Sequence, residues 1–129
     1  MTLPPRLGYV KKGRDGKLRS PVHLEFVRRH LCVLYLLNDC YGKIEACHAR
    51  DVAPRGHGGG KPDDCFVFSA CQKHHKASEK REVAFGEQYG INILDICLEF
   101  AAASPVRLIR EAAYTHAPHL RPTPTKAAQ

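Results

Sequence analysis

The sequence predicts a single α+β domain, with a helix, a strand–loop–strand–helix unit and further helices in that order. Three observations predict it. Apolar residues recur at intervals of three and four on both sides of the middle of the chain, which is the period of a helix with one buried face. Two short strand-like runs flank a loop of glycine and proline. The 129 residues, 43% of them apolar, provide one core of ordinary size.

The first helix is predicted over residues 21–31. Ser20 is its N-cap, and a proline follows at the first helical position. Leu24, Val27 and Leu31 then recur at three and four, so they form the apolar side of a short amphipathic helix.

The strand–loop–strand–helix unit occupies the middle of the chain. Residues 41–48 (YGKIEACH) and 64–70 (DCFVFSA) are the predicted strands, and residues 51–63 (DVAPRGHGGGKPD) are the loop between them. A helix is predicted directly afterwards, over residues 72–89, with a break near Gly86.

Two more helices are predicted after this unit. Asn92, with Asp95 three residues on, caps a helix that runs to about residue 103. Its buried stripe consists of Leu94, Cys97, Leu98 and Ala101. Ser104 is again followed by a proline, which predicts the start of the last helix. The apolar side of that helix is formed by Val106, Ile109 and Ala113.

The basic charge is concentrated at the two ends of the chain. Residues 1–22 carry six basic groups and one acid, residues 101–129 carry four and one, and the formal net charge is +7. We expect residues 1–20 to be a flexible basic arm, residues 21–114 the folded domain and residues 115–129 a disordered tail. A basic arm suits a polyanion, and it equally suits a solvated tail that keeps the protein soluble.

The composition argues against several classes of protein. No apolar run approaches the ~20 residues that a membrane-spanning helix needs. The first residues lack the apolar centre of a signal peptide. We therefore expect neither a membrane protein, nor a secreted protein with a standard signal, nor a large multidomain enzyme.

Six cysteines suggest a metal site rather than disulfides, because no secretory signal precedes them. Cys65 and Cys97 lie in predicted apolar segments and are expected to be core residues. The remaining candidate ligands form two pairs. Cys71 and His74 are separated by two residues, which suits a turn that leads into a helix, and Cys32 and Cys40, with seven residues between them, could supply the other half. A closed tetrahedral zinc site would consist of Cys32, Cys40, Cys71 and His74. The alternative is that the three thiols are buried and free and that His74 lies on the surface.

A second metal site is predicted on the helix that follows. His75 and Glu79 are four residues apart, so they share one helix face and suit a hard divalent cation such as Mg²⁺ or Mn²⁺. Successive helix residues point about 100° apart, so His75 cannot serve the same metal as its neighbour at position 74.

His48 ends the first predicted strand and is a candidate general base for water, because a neutral imidazole titrates near neutral pH. A carboxylate on its other ring nitrogen would select the tautomer, and either Asp63 or Asp64 is placed for that. Arg50 or Lys61 is a candidate for contacting phosphate charge.

Taken together, the order of these motifs resembles one family. The stretch HLEFVRRHLC…C…EACHAR…GHGGGKPDDCFVF…CQKHH resembles the HNH, or ββα-metal, nuclease superfamily, and it looks closest to small phage and prophage members, including the recombination-enhancement nuclease type. The resemblance covers roughly residues 23–100. Besides the glycines before Lys61, the matching positions are Cys32, Cys40, Ala46, His48, Arg50, Asp64, Cys71, His74 and His75.

The resemblance implies a zinc-stabilised ββα-metal core with flanking helices, and a metal-dependent endonuclease that hydrolyses DNA phosphodiester bonds. By position, His48 would be the general base, Asp64 would orient it and His75 would hold the catalytic Mg²⁺ or Mn²⁺. The structural Zn²⁺ would be bound by Cys32, Cys40, Cys71 and His74. The family also implies a bacterial host cytoplasm, with DNA and a recombination protein as candidate partners. The oligomeric state stays open.

The chain departs from the family pattern at two positions. Many members have a histidine where this chain has Cys47, and a thiol is a poor ligand for Mg²⁺. Many also have a histidine where this chain has Glu79, although a carboxylate still suits a hard cation. Two alternatives follow: a non-catalytic, zinc-stabilised nucleic-acid-binding module of the same fold, and a phage structural or regulatory protein with buried cysteines.

Overall fold

The computed structural model describes residues 10–13, 16–53 and 61–123 and has the predicted α+β architecture. The predicted arm before residue 10, most of the glycine-rich loop and the end of the predicted tail lie outside these ranges. The described elements are β1 (Lys11–Lys12), β2 (Leu18–Arg19), α1 (Pro21–Arg28), β3 (Ile44–His48), β4 (Val67–Cys71), α2 (Gln72–Ser78), α3 (Glu82–Tyr89), α4 (Ile93–Ala102) and α5 (Arg107–His116), with 3-10 turns at Tyr35–Leu37 and Pro118–Leu120.

Helix α1 begins as predicted and ends three residues early. The Ser20 side chain accepts a hydrogen bond from the backbone N–H of His23, 3.1 Å away. Beyond residue 28 the hydrogen bonds span three residues instead of four, as in a 3-10 turn: the Arg29 N–H donates to the Phe26 carbonyl and the His30 N–H to the Val27 carbonyl. Leu31 is therefore outside the helix and 64% exposed, so the prediction that it belongs to the apolar stripe is wrong.

An antiparallel hairpin of β3 and β4 leads directly into α2. Its register pairs Ile44 with Cys71 and His48 with Val67, and every residue of β4 is buried. Both strands are shorter than predicted, because the residues before Ile44 form the loop that carries Cys40, and Asp64 lies in a turn before β4.

The helix predicted over residues 72–89 is two helices, and the break lies at residues 79–81 rather than near Gly86. Lys80 has a φ of 61° there, and the carboxylate of Asp51 accepts hydrogen bonds from the N–H groups of Glu82 and Val83, which caps α3. Gly86 lies inside α3, where a Cβ atom would overlap the Ile91 carbonyl oxygen. Its role is therefore close packing, not a break.

Helix α4 begins as predicted, whereas both ends of α5 differ from the prediction. Asn92 caps α4 by accepting from the N–H of Asp95 at 2.9 Å, as predicted. The prediction that Ser104 is the N-cap of α5 is wrong, because Val106 is the cap and α5 starts after it. Helix α5 also runs to residue 116, so the predicted tail begins too early.

Part of the predicted arm is bound to the folded body. β1 and β2 pair as a small hairpin, Lys17 donates from Nζ to the Lys61 carbonyl at 3.0 Å, and the Leu18 carbonyl accepts from the N–H of Asp64 at 3.1 Å. The prediction of a flexible arm up to residue 20 is therefore wrong for residues 16–20.

Two clusters of buried side chains form the core, and α4 contributes to both. Cys97 and Ile93 pack with β3, β4 and the loop after α1. Leu98 and Ala101 pack with α5 and the turn before β4. Between α1 and the turn before α5, the fully buried His23 ring lies with Nδ1 2.8 Å from the Ser104 hydroxyl, and its Nε2 is buried with no hydrogen-bond partner in the described residues.

Burial makes stability depend on the protonation of His23. Burial lowers the pKa of His23 to about 4, from an ordinary 6.5, although the nearby Asp64 charge raises it. As the pH falls from 6.5 to 4, His23 becomes protonated in the unfolded chain but stays neutral in the folded protein. The free energy of unfolding therefore decreases over this pH window. We expect this one group to remove up to about 3 kcal/mol by pH 4.

Urea unfolding of the wild type and His23→Gln at several pH values checks this expectation. The difference in unfolding free energy between the two proteins should shift in favour of the variant as the pH falls through the window. The exposed His119→Gln serves as the control and should keep the wild-type slope. Parallel pH profiles for the wild type and His23→Gln would contradict the assignment.

Candidate functional site

Three separate segments bring the four predicted metal ligands together. Cys32 and Cys40 lie in the loop after α1, Cys71 ends β4, and His74 lies in the first turn of α2. The Nδ1 atom of His74 is 3.3 Å from Sγ of Cys32, 3.7 Å from Sγ of Cys40 and 3.3 Å from Sγ of Cys71. All four ligand atoms lie within 4.8 Å of one another, so these residues could bind a metal ion such as zinc.

The spacing and surroundings of this cluster suit a tetrahedral ion. Zinc–sulfur and zinc–nitrogen bonds of usual length place S and N ligand atoms about 3.5 Å apart. His74 is 2% exposed, which excludes the alternative that it lies on the surface. An Asp39 carboxylate oxygen lies 3.1 Å from its Nε2, on the side where a metal-binding histidine usually has a carboxylate.

The other cysteines are structural. Cys65 and Cys97 are buried in the core as predicted. Cys47 is 1% exposed and packs in the same core cluster as Cys97. Burial raises the pKa of the Cys47 thiol, so the residue remains a neutral thiol and offers no thiolate to a cation.

The predicted general base and one of its two candidate partners are in contact. Nε2 of His48 lies 2.8 Å from Oδ1 of Asp64; the side chains are 10% and 1% exposed. Asp63 instead accepts from the Leu18 N–H, so Asp64 is the one of the two candidates that contacts His48. Its second oxygen accepts from the Ser20 N–H at 2.7 Å.

The charge of Asp64 is stabilised despite its burial. Burial acts to raise the pKa of the Asp64 carboxyl, but hydrogen bonds from His48 and the Ser20 N–H, together with the positive charge of Arg19, hold it below its ordinary value. The carboxyl is therefore ionised at neutral pH, and its Oδ1 accepts a hydrogen bond from the Nε2–H of His48. This leaves Nδ1 of His48 as the ring nitrogen with a free lone pair.

His48 lines a pocket of about 170 Å³ between β3 and helices α2 and α3. Its other side chains with acid–base or charge chemistry are Arg50, His75, Glu79 and Glu82. The structure thus brings His48, His75 and Glu79 to one cavity. Arg50 lines it as well, whereas Lys61 does not.

The predicted helical pair of His75 with Glu79 is only partly realised. Glu79 follows the end of α2 and has an extended backbone. Among the described residues no hydrogen bond or ion pair joins it to His75, although both side chains line the same cavity. His75 instead contacts Glu45 on β3, with Nδ1 2.9 Å from Oε1. That contact leaves Nε2 of His75 for a ligand.

Nothing in the sequence singled out Glu45 or Glu82. The contact of Glu45 with His75 depends on how α2 lies across β3. Glu82 is 2% exposed, and its Oε1 accepts from the Arg50 N–H at 3.0 Å. Burial and the neighbouring Asp51 carboxyl raise the pKa of Glu82 to about 7. An acidic residue next to Lys80 and Arg81 looks like part of a solvated charged turn in the sequence.

No protein-family model, curated protein or solved structure matches this chain. Within the described residues, no helix is both long enough and apolar enough to cross a membrane.

Proposed function

We propose that this protein is a metal-dependent endonuclease of the HNH type, which hydrolyses DNA phosphodiester bonds. The observation that carries the proposal is the 2.8 Å contact between His48 and the buried Asp64 at a pocket that His75 also lines. The pocket therefore joins a histidine suited to proton transfer with a histidine and carboxylates suited to a hard cation.

In the proposed reaction, Nδ1 of His48 accepts a proton from water as the water oxygen bonds to phosphorus. The bond from phosphorus to one sugar oxygen breaks, and that oxygen takes a proton from solvent. Asp64 keeps His48 in the required tautomer and balances the charge of the imidazolium. Arg50, exposed at the pocket, is placed to contact a phosphate oxygen.

His75 and Glu79 would hold a Mg²⁺ or Mn²⁺ ion in the same pocket. The nitrogen and oxygen donors fit such a cation, and Glu45 orients the His75 ring. When bound, the ion supplies stabilisation of the negative charge that grows on the phosphate and the leaving oxygen.

The cluster of Cys32, Cys40, Cys71 and His74 would hold a structural Zn²⁺. Its closed set of four ligands leaves no open position for substrate, so the ion would serve folding rather than chemistry. It would tie the loop after α1 to the end of β4 and to α2.

The proposed substrate is consistent with the charge of the chain. A formal charge of +7 favours a polyanion, and phosphate contacts of this kind position DNA without reading its sequence. A phage-type protein acting on DNA in a bacterial cytoplasm, alongside a recombination protein, is the setting that this function would imply.

One observation favours a second candidate function. Cys47 occupies the position where many HNH members have a histidine, and here it is buried in the core. A protein that kept the zinc-stabilised fold and lost one metal ligand would bind nucleic acid without cutting it.

We expect purified protein to contain about one zinc ion per chain, and Cys71→Ala to lose both the ion and the cooperative unfolding transition. A structural zinc contributes on the order of 10 kcal/mol, which is comparable with the total stability of a domain. Elemental analysis and thermal circular dichroism measure both. Cys97→Ala, at a buried thiol outside the cluster, is the matched control and should keep its zinc at a cost of about 1 kcal/mol. Zinc-free protein that melts cooperatively would support buried free thiols instead.

We expect the protein to nick supercoiled plasmid with Mg²⁺ or Mn²⁺, and His48→Ala to lower the rate by roughly 10²- to 10⁴-fold because the general base is lost. Asp64→Asn should lower it too, while His119→Ala, at an exposed histidine, should not. The readout is conversion of supercoiled to open-circular plasmid with time.

Two results would count against this assignment. Zinc-loaded protein that shifts DNA in a gel and nicks it with neither metal would favour the binding module. Nicking that survives in His48→Ala would mean that another group is the base, or that a contaminant cuts the plasmid.

A further inference from the structure

Glu82 is the most deeply buried carboxylate at the pocket. It is 2% exposed, it begins α3, and it lines the cavity together with His75 and Glu79. The two N–H groups that start α3 are held by Asp51, so the position of the Glu82 backbone is fixed from outside the pocket. A buried side chain on a backbone fixed in this way is preorganised for a ligand.

Only one of its two carboxylate oxygens is satisfied. Oε1 accepts from the Arg50 N–H at 3.0 Å, whereas Oε2 is buried and no donor of a described residue reaches it. The side chain within hydrogen-bond reach of the Glu82 carboxyl is the carboxyl of Asp51, which can share a proton with it but carries no N–H. In the described part of the chain no lysine or arginine forms an ion pair with Glu82, and the negative charge of Asp51 acts on its carboxyl. Buried carboxylate oxygens normally have a donor or a cation, because an unpaired one is costly.

We propose that Glu82 is a ligand of the divalent cation in this pocket, where its Oε2 binds the ion. His75 and Glu79 line the same cavity, and their donor atoms are not yet gathered around one point, so both would have to move toward the ion as it binds. This inference deepens the proposed function, on which its catalytic meaning rests, and it assigns a residue that the family resemblance does not. It also accounts for Cys47: a carboxylate from α3 supplies the ligand that the buried thiol cannot.

The donor chemistry agrees with a hard cation. Two carboxylates and one imidazole are typical ligands of Mn²⁺, and they also serve Mg²⁺. A proton held between Glu82 and Asp51 would satisfy the same oxygen without any metal. The experiment therefore has to separate a cation from a proton.

The test measures Mn²⁺ binding to zinc-loaded protein by titration calorimetry, at pH 7.5 and without DNA. Glu82→Gln keeps the shape and an acceptor for the Arg50 N–H but removes the charge. We expect it to weaken Mn²⁺ binding at least roughly tenfold while the zinc content stays unchanged. Glu87→Gln, an exposed position on the same helix, makes the same change of charge and should bind Mn²⁺ like the wild type.

A thermal melt separates a ligand from a merely structural side chain. Mn²⁺ should raise the melting temperature of the wild type and of Glu87→Gln, and should leave that of Glu82→Gln unchanged. Without Mn²⁺, Glu82→Gln should be at least as stable as the wild type at this pH, because a buried charge has been removed. Equal Mn²⁺ affinity in Glu82→Gln and the wild type, or no Mn²⁺ binding by the wild type at millimolar concentration, would overturn the proposal and leave a proton as the occupant.

A second measurement needs no variant and decides the matter should Glu82→Gln fail to fold. Mn²⁺ added to ¹⁵N-labelled wild type should broaden the amide signals of Arg50, His75 and Glu82 first. Broadening confined to other surfaces would overturn the proposal. Glu82-dependent Mn²⁺ binding in a protein that nicks no plasmid would keep this site and reject the nuclease, whereas nicking with unchanged Mn²⁺ binding in Glu82→Gln would do the reverse.

Discussion

The closeness of four side chains at the end of β4 is the constraint on which the rest of the structure depends. The loop after α1 has little core of its own, since Leu36 is 82% and Tyr41 77% exposed. It is attached to the hairpin through backbone bonds, such as that from Val33 to the Ser69 carbonyl. The thiols of Cys32 and Cys40 attach it to His74 on α2. In so small a domain, a metal held by these residues would replace the apolar burial that the loop lacks.

The second constraint is the burial of Asp64. Apolar surroundings oppose its charge, and three donors from different parts of the chain offset that opposition: His48 on β3, the Ser20 N–H at the start of α1 and, more distantly, Arg19 on β2. The small N-terminal hairpin is therefore part of the site's architecture rather than an appendage. Residues whose sequence context indicated a solvated arm help to keep the Asp64 carboxylate ionised.

Some of the features that the sequence predicted correctly depend on local spacing. The Asn92 cap depends on a residue three positions away, and the spacing of Cys71 and His74 places two ligands within one turn. The features it did not predict depend on distant partners. The break in the long helix is fixed by Asp51, about thirty residues earlier in the chain. The contact of Glu45 with His75 needs the packing of α2 on β3, which no periodicity encodes. Local spacing thus located Cys71 and His74 but not the full set of carboxylates at the pocket.

Two consecutive residues on α2 connect the cluster with the pocket. His74 points to the cysteines and His75 to Glu45, because neighbouring helix residues diverge by about 100°. Any rotation of α2 about its axis would therefore move both imidazoles at once. Cys71 caps this helix through its Sγ atom, which accepts from the His74 N–H at 3.5 Å, so the ligand that ends β4 also sets where the first turn begins. The position of His75 in the pocket therefore depends on the position of His74 in the cluster, because both residues lie on the same short, seven-residue helix.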